Sequence, residues 1–140
     1  MGQYFIAVNR TKRQWLHPHR FGDGMKLKEL MGSADGLLAG LGLLLTPEAG
    51  WNDEIVGSWA GDDVSIVGDY GSSGLYAEAM DSHKDVSFGI MRAMARDAWI
   101  RASMMEKTAW RWRLPKDFKH AIADQDEQEF YKELFDGRNH

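Results

Sequence analysis

In two stretches of the chain the larger hydrophobic side chains recur with a period of two. From Gln3 to Asn9, Tyr4, Ile6 and Val8 stand on one side, and Gln3, Phe5, Ala7 and Asn9 on the other. Alternation of this kind predicts a strand. Asn9 to Arg13 is a polar turn, and Gln14 to His17 is the returning strand, ended by Pro18, which has no N–H for the ladder. The second stretch is 55–70, where Gly61-Asp62 suits a type II′ turn between two short strands. That turn sets Trp59 opposite Val64, Gly57 opposite Ile66 and Val56 opposite Val67. One face then carries Ile55, Trp59, Val64 and Ile66, and the other Val56, Ser58, Ser65, Val67 and Asp69.

Elsewhere the period is helical. Lys26 to Met31 reads as a short helix, interrupted by Gly32 to Gly36, and Leu37 to Leu45 as a buried helix stopped before Pro47. Gly36 and Gly40 lie four apart on one face of it, where another backbone can approach closely, with tight helix–sheet packing as the simpler account. Ile90 to Arg113 reads as one long helix. Met91, Met94, Ala95, Ala98, Ala102, Met105, Ala109 and Trp112 form its core stripe, and Arg92, Arg96, Lys107 and Arg111 gather opposite. Leu75 to Asp85 has no clear period and is expected to be loop with a helical turn. Asp124 to Phe135 is a last helix, with acids in its first turn and Gly137 just past its end.

These elements predict an α+β fold: a small antiparallel sheet built from two hairpins and packed against about three to four helices. The 140 residues are expected to form a single globular domain, with 116–140 as a possible C-terminal helical appendage. The chain has no cysteine, which excludes disulfides and thiolate chemistry and makes the cytoplasm the default compartment. No segment is apolar enough to span a bilayer, and there is no secretion-signal pattern. Met1-Gly2 is followed by Ile6 where a myristoylation pattern needs Ser or Thr. A net charge of −4 weighs against general nucleic-acid binding, although the arginines of 90–113 are locally concentrated.

Several short motifs occur in a fixed order: Met1-Gly2-Gln3-Tyr4, His17-Pro18-His19, Phe21-Gly22-Asp23-Gly24, Trp59-Ala60-Gly61-Asp62 and Gly68-Asp69-Tyr70. In that order they resemble a family of small bacterial and fungal proteins that open Met-Gly-Gln-Tyr and carry Trp-Ala-Gly-Asp-Arg and Gly-Asp-Tyr-Ala. The resemblance covers the first half of the chain and implies a framework without an assigned activity. The chain departs from that pattern at Asp63, where the family has arginine, and at Gly71, where it has alanine.

Three kinds of chemistry are worth weighing. His17 and His19, with Asp23 or Glu29, have the donor types of a zinc site, but spacing places no third ligand, and turn histidines are the simpler account. Asp62, Asp63 and Asp69 with His19 could act as an acid/base pair, though an Asp after Gly more often bonds its own turn. Gly22 to Lys26 lacks the spacer and Gly-Lys-Ser/Thr end of a P-loop, leaving at most an anion nest capped by Lys26. No catalytic set is complete, no metal is assigned, and no cofactor is implied.

The expected function is therefore that of a small cytosolic accessory protein, non-catalytic, which inhibits or sequesters another protein in the manner of immunity or phage counter-defence proteins. Six tryptophans and eight methionines favour a protein-contact surface, and self-association is one form of it. The alternative is a pocket between the hairpins, lined by Gln3, Asn9, His19, Lys26, Trp59, Asp62, Asp69 and Tyr70, that binds or hydrolyses a nucleotide-like phosphorylated small molecule. A second alternative is nucleic-acid binding through Arg92, Arg96, Trp99, Lys107, Trp110 and Arg111. The acids of 124–133 could instead fold back on that basic stripe.

Overall fold

The computed structural model describes residues 3–31, 35–109 and 125–136. The fold is α+β, with five helices and a four-stranded mixed sheet among the described residues. Strands β1 (Phe5–Asn9) and β2 (Gln14–Leu16) form the N-terminal hairpin, antiparallel, with Ala7 opposite Leu16 and Asn9 opposite Gln14. Strand β3 (Val64–Gly68) joins the other edge of β1, and the two-residue β4 (Lys84–Asp85) lies parallel to β2, giving the order β3-β1-β2-β4.

The second hairpin does not form. Residues 55–62 wind through successive tight turns, with N–H groups of Val56, Ser58, Ala60 and Asp62 each donating to the carbonyl three residues back. Gly61 keeps the positive φ expected of it, at 82°, but the turn closes no ladder. Val64–Gly68 pairs with β1 instead, Phe5 opposite Gly68 and Asn9 opposite Val64. The sheet is mixed rather than purely antiparallel because β4 enters from the far side of helix α2 (Leu75–Ser82), and that intervening helix reverses its direction relative to a hairpin return. This α2 replaces the expected loop over 75–85. Only Leu75 and Ala79 are buried on it, too sparse a stripe to read as a helix.

Both faces of the sheet are covered. On one side Ala7 and Leu16 join the main core with Trp59, Phe88, Ile90 and Met91. On the other, Ile6, Val8 and Trp15 pack with Met25, Leu75 and Ala79. The alternation of β1 thus separates two apolar clusters rather than a core from water.

Helix α1 (Leu37–Leu45) occupies the predicted span and buries Leu37, Gly40, Leu41 and Leu44, the i, i+3, i+4, i+7 stripe of a core-facing helix. Its first turn is capped from a distance: the Leu37 N–H donates to Asp23 Oδ2 at 2.7 Å. A Cβ on Gly36 would stand 2.5 Å from that oxygen, and one on Gly40 2.8 Å from Phe21 Cε1, so the two glycines make room for side chains and not for the backbone their spacing suggested. At the other end Gly57 and Trp59 donate to the carbonyls of Leu43 and Leu44, both at 2.8 Å, and the C-cap Thr46 N–H shares the Leu43 carbonyl at 3.3 Å.

The predicted long helix is two. Helix α3 (Ser87–Met94) and helix α4 (Ala98–Ala109) are separated at Ala95–Asp97. Asp97 caps α4, its Oδ1 accepting from the N–H groups of Trp99 and Ile100 at 3.0 and 2.9 Å. Met91, Met94 and Ala95 are buried as expected, whereas Ala98, Ala102 and Met105 are exposed, because the chain changes direction at the cap. Helix α5 (Gln125–Asp136) sets Phe130 and Leu134 in the main core against α3, with Phe88 and Phe130 ring centroids 5.6 Å apart.

Candidate functional site

The richest cluster of polar side chains gathers at the turn end of the β1–β2 hairpin. Asn9 is fully buried there and bonds in two directions. Its Oδ1 accepts from the Lys12 N–H at 2.9 Å, closing the turn, and its Nδ2 donates to Asp62 Oδ2 at 2.8 Å. Lys12 Nζ forms an ion pair with the same carboxylate. The hydrogen bonds from Lys12 and then Asn9 hold the Asp62 carboxyl below its ordinary value, against the opposing effect of desolvation. Directly opposite Asn9 on β2, Gln14 Oε1 accepts from Trp59 Nε1 at 2.7 Å.

Beside this cluster, residues 51–58 face Arg92 of α3 and Arg96 just past its end. Asp53 organises the loop, Oδ1 accepting from the Ile55 N–H at 3.1 Å, while Oδ2 accepts from Arg96 Nη1 at 2.8 Å. Arg96 Nε reaches Glu133 of α5 at 3.3 Å, and Arg92 Nη1 pairs with Glu129. Arg96, in the junction between α3 and α4, therefore ties that junction to the loop and to α5. Replacing it by methionine is expected to lower stability by about 1 kcal/mol, the sum of two partly exposed pairs, measured as a urea midpoint that becomes less sensitive to salt.

Two clefts flank the Arg96–Asp53 pair. The larger, about 560 Å³, is lined by Lys12, Gln14, Asp53, Glu54, Ile55, Ser58, Arg92 and Arg96. The smaller, about 400 Å³, has Trp51 and Ala93 as its apolar walls, with Asn52 and Asp97 at its margin. The larger cleft has three cations and two carboxylates in its lining, and each cation is also paired with an acid: Lys12 with Asp62, Arg92 with Glu129, and Arg96 with Asp53 and Glu133.

The structure brings Asn9, Trp59 and Asp62 of the predicted pocket together at this end. Trp59 is fully buried, so it supports the site from within the core and offers no surface to a ligand. The other five lie toward the opposite end of the sheet, and at about 3.3 Å per residue the ends of β1 stand about 13 Å apart. There the Asp69 N–H donates to the Tyr4 carbonyl, and Asp69 Oδ1 accepts from the Tyr4 N–H at 3.0 Å, a pairing that extends the β1–β3 ladder. Gln3 packs over Gly68, and Tyr70 is 64% exposed. Lys26 is exposed beside Met25, whose carbonyl accepts from the Phe5 N–H. His19 is exposed in the 3-10 turn Pro18–Phe21, its ring 5.2 Å from that of His17. The eight residues do not line one pocket.

Of the predicted basic surface, Arg92 and Arg96 are engaged by Glu129, Glu133 and Asp53, the fold-back of acids onto arginines. Trp99 is 75% exposed on α4. The side chain of Lys107, and Trp110 and Arg111 altogether, lie outside the described residues. Lys12, Gln14, Asp53 and Ser58 were not singled out by sequence. The one signal in the sequence that lies beside them is Trp51, a tryptophan in a loop between Pro47 and Gly57.

His17 stacks on Trp15, and its Nδ1 accepts from the His19 N–H at 3.3 Å, which requires the neutral ring. Burial, then the charges of Arg20 and His19, push it down to about 4. The unfolded chain binds the proton near the ordinary 6.5, so this contribution is whole at neutral pH and is lost as pH falls from 6.5 toward 4. Between pH 7 and pH 5 the expected loss is about 2 kcal/mol, read from urea midpoints and reduced in His17→Gln. Among the described residues no group of three or more histidines and acids could hold a metal ion.

Fold and site together define a small α+β protein with a mixed sheet, helices on both faces, and a charged cleft at one end of the central hairpin. Comparison with protein-family models, with curated proteins and with solved structures finds no match. Among the described residues no helix is long and apolar enough to cross a membrane.

Proposed function

We propose that the protein is a non-catalytic binding protein that acts on another protein through helix α4. The observation that carries this is Trp99, whose side chain stands 75% exposed. It sits at the edge of a shallow groove of about 300 Å³ with Ile100, Ala102, Ser103 and Glu106. Positions 99, 102, 103 and 106 share one helical face, and Met105 beside it is also exposed. An exposed tryptophan on a regular helix is a large, rigid anchor of the kind that dominates interface energetics. The Asp97 cap holds the start of that helix in place, so little ordering is needed on binding.

A catalytic reading has less support, since the carboxylates it needs are occupied: Asp62 by Lys12 and Asn9, and Asp69 by the Tyr4 backbone. Nucleic-acid binding loses Arg92 and Arg96 to acids of the same chain.

The test is affinity capture with the wild-type protein and Trp99→Ala, partners identified by mass spectrometry and confirmed by titration with the purified partner. Trp99→Ala is expected to leave stability within about 0.5 kcal/mol, because the ring buries little. It should weaken partner affinity by at least tenfold, the size of a hot-spot loss above about 1.4 kcal/mol. Equal affinity for a partner by both proteins would remove α4 as the contact surface.

A further inference from the structure

Independently of any protein partner, we propose that the larger cleft beside the Arg96–Asp53 pair binds a small phosphate monoester that carries hydroxyl or amino groups, such as a sugar phosphate or a mononucleotide. Three observations converge on that class. The first is an unused donor. Arg92 lines the cleft and gives Nη1 to Glu129, while its buried Nε has no hydrogen-bond partner among the described residues. A guanidinium donates in a planar fork, and the edge that contains Nε is the one that grips a phosphate with two parallel bonds. A buried N–H left without an acceptor is costly, so an incoming phosphate oxygen that reaches it gains more than a surface contact would. Reaching it needs a turn of the Arg92 side chain, which is about one-third exposed and is held to Glu129 through Nη1.

The second observation is the remaining charge around the space. Lys12 stands on the hairpin turn at the same cleft, and Gln14 adds an amide beside it. Lys12 holds Asp62 with one of three ammonium donors, so it can serve a second oxygen without leaving its partner. The third is the pair of carboxylates in the lining, Glu54 and Asp53, the latter bonded to Arg96. They would repel a bare inorganic anion, but they accept from hydroxyl or amino groups on the organic part of a ligand. The volume agrees: about 560 Å³ is several times what a tetrahedral oxyanion fills and suits a molecule of mononucleotide size. The site is distinct from the groove on α4, and it draws only Asn9 and Asp62, as neighbours of Lys12, from the pocket read in the sequence.

The experiment is thermal denaturation of the full chain with AMP, glucose 6-phosphate, inorganic phosphate, adenosine and glucose, repeated in Arg92→Gln and Ser58→Leu. Ser58 lines the cleft, and only its backbone is hydrogen bonded, so leucine there fills the space without removing a charge. At about a hundred times Kd the midpoint should rise by several degrees with at least one of the two phosphate esters. It should move little with inorganic phosphate and not at all with adenosine or glucose. Both variants should abolish the rise, and Ser58→Leu should do so with the starting midpoint and circular dichroism of the wild type. If Arg92→Gln fails to fold because Glu129 loses its partner, Ser58→Leu and Gln14→Glu, which opposes the phosphate, decide the matter. No rise with either ester at millimolar concentration overturns the proposal. So does a rise that survives in Ser58→Leu, or an equal rise with inorganic phosphate, which would mark a general ionic effect. None of these outcomes bears on Trp99.

Discussion

Trp59→Ala should lower the thermal midpoint by about 10–15 °C, the largest effect expected of any single substitution in the chain. Trp59 is fully buried in the main core, and its indole N–H donates to Gln14 Oε1 at 2.7 Å. Truncation to alanine removes the largest buried side chain and leaves a cavity, for which Trp→Ala losses run about 3–5 kcal/mol. It also strips Gln14 of its partner and so loosens β2 where that strand meets the cleft. Trp59→Phe separates the two contributions, since it keeps most of the volume and removes the hydrogen bond. Its cost should be about 1–2 kcal/mol. The measurement is urea denaturation followed by tryptophan-independent far-UV circular dichroism. A loss under about 1 kcal/mol for the alanine variant would mean that Trp59 is not packed as described.

Gly57→Ala should cost about 2–4 kcal/mol, although it adds a single methyl group. Gly57 has φ of 81°, the left-handed region that disfavours any Cβ. The added Cβ would stand 2.5 Å from Pro47 Cα, a backbone atom that cannot turn away. Relief requires the 55–59 turns to shift, which breaks the bonds from Gly57 and Trp59 to the carbonyls of Leu43 and Leu44 that finish α1. Gly61 is the internal control. Its φ is 82°, and a Cβ there meets nothing within 4 Å, so Gly61→Ala should cost only the conformational part, about 1 kcal/mol. If the two alanine variants have equal midpoints, the Pro47 contact is not close and the turns are not fixed by it.

The two substitutions bear on the cleft as well, because the loop that Gly57 holds is the wall that presents Asp53, Glu54 and Ser58. A variant that loosens the loop should therefore weaken phosphate-ester binding in proportion to stability lost. A purely local defect, such as Ser58→Leu, should act on binding alone.

How far the chain could be read in advance depends on the range of the interaction that decides each element. The N-terminal hairpin was legible because its partner strands are separated only by a polar turn, and an apolar run rich in strand-forming residues precedes that turn. Helix α1 was legible to the residue, since Gly36 and Pro47 punctuate a run of leucines. The last helix was legible from its acidic start. The break between α3 and α4 had a local signal in Asp97, the residue type favoured at a helix start, but the apolar period of Met91, Met94, Ala95 and Ala98 runs on across it. A continuous period conceals a change of axis, because periodicity records spacing along the chain and not direction in space.

By itself, then, the sequence determined the α+β class, the first hairpin, α1 and the final helix. Each of these rests on contacts among neighbours. Only the tertiary structure decided that Val64–Gly68 pairs with β1, that Trp59 belongs to the core, and that Arg92 and Arg96 meet Glu129 and Glu133. It alone separated Asn9 and Asp62 from Asp69 and Tyr70 by the length of a strand and opened a cleft at Lys12, Gln14 and Asp53. The physical reason is that strand pairing and charge pairing join residues about forty to sixty positions apart. Which of many compatible partners a strand or an arginine takes is set by the packing of the whole core around it.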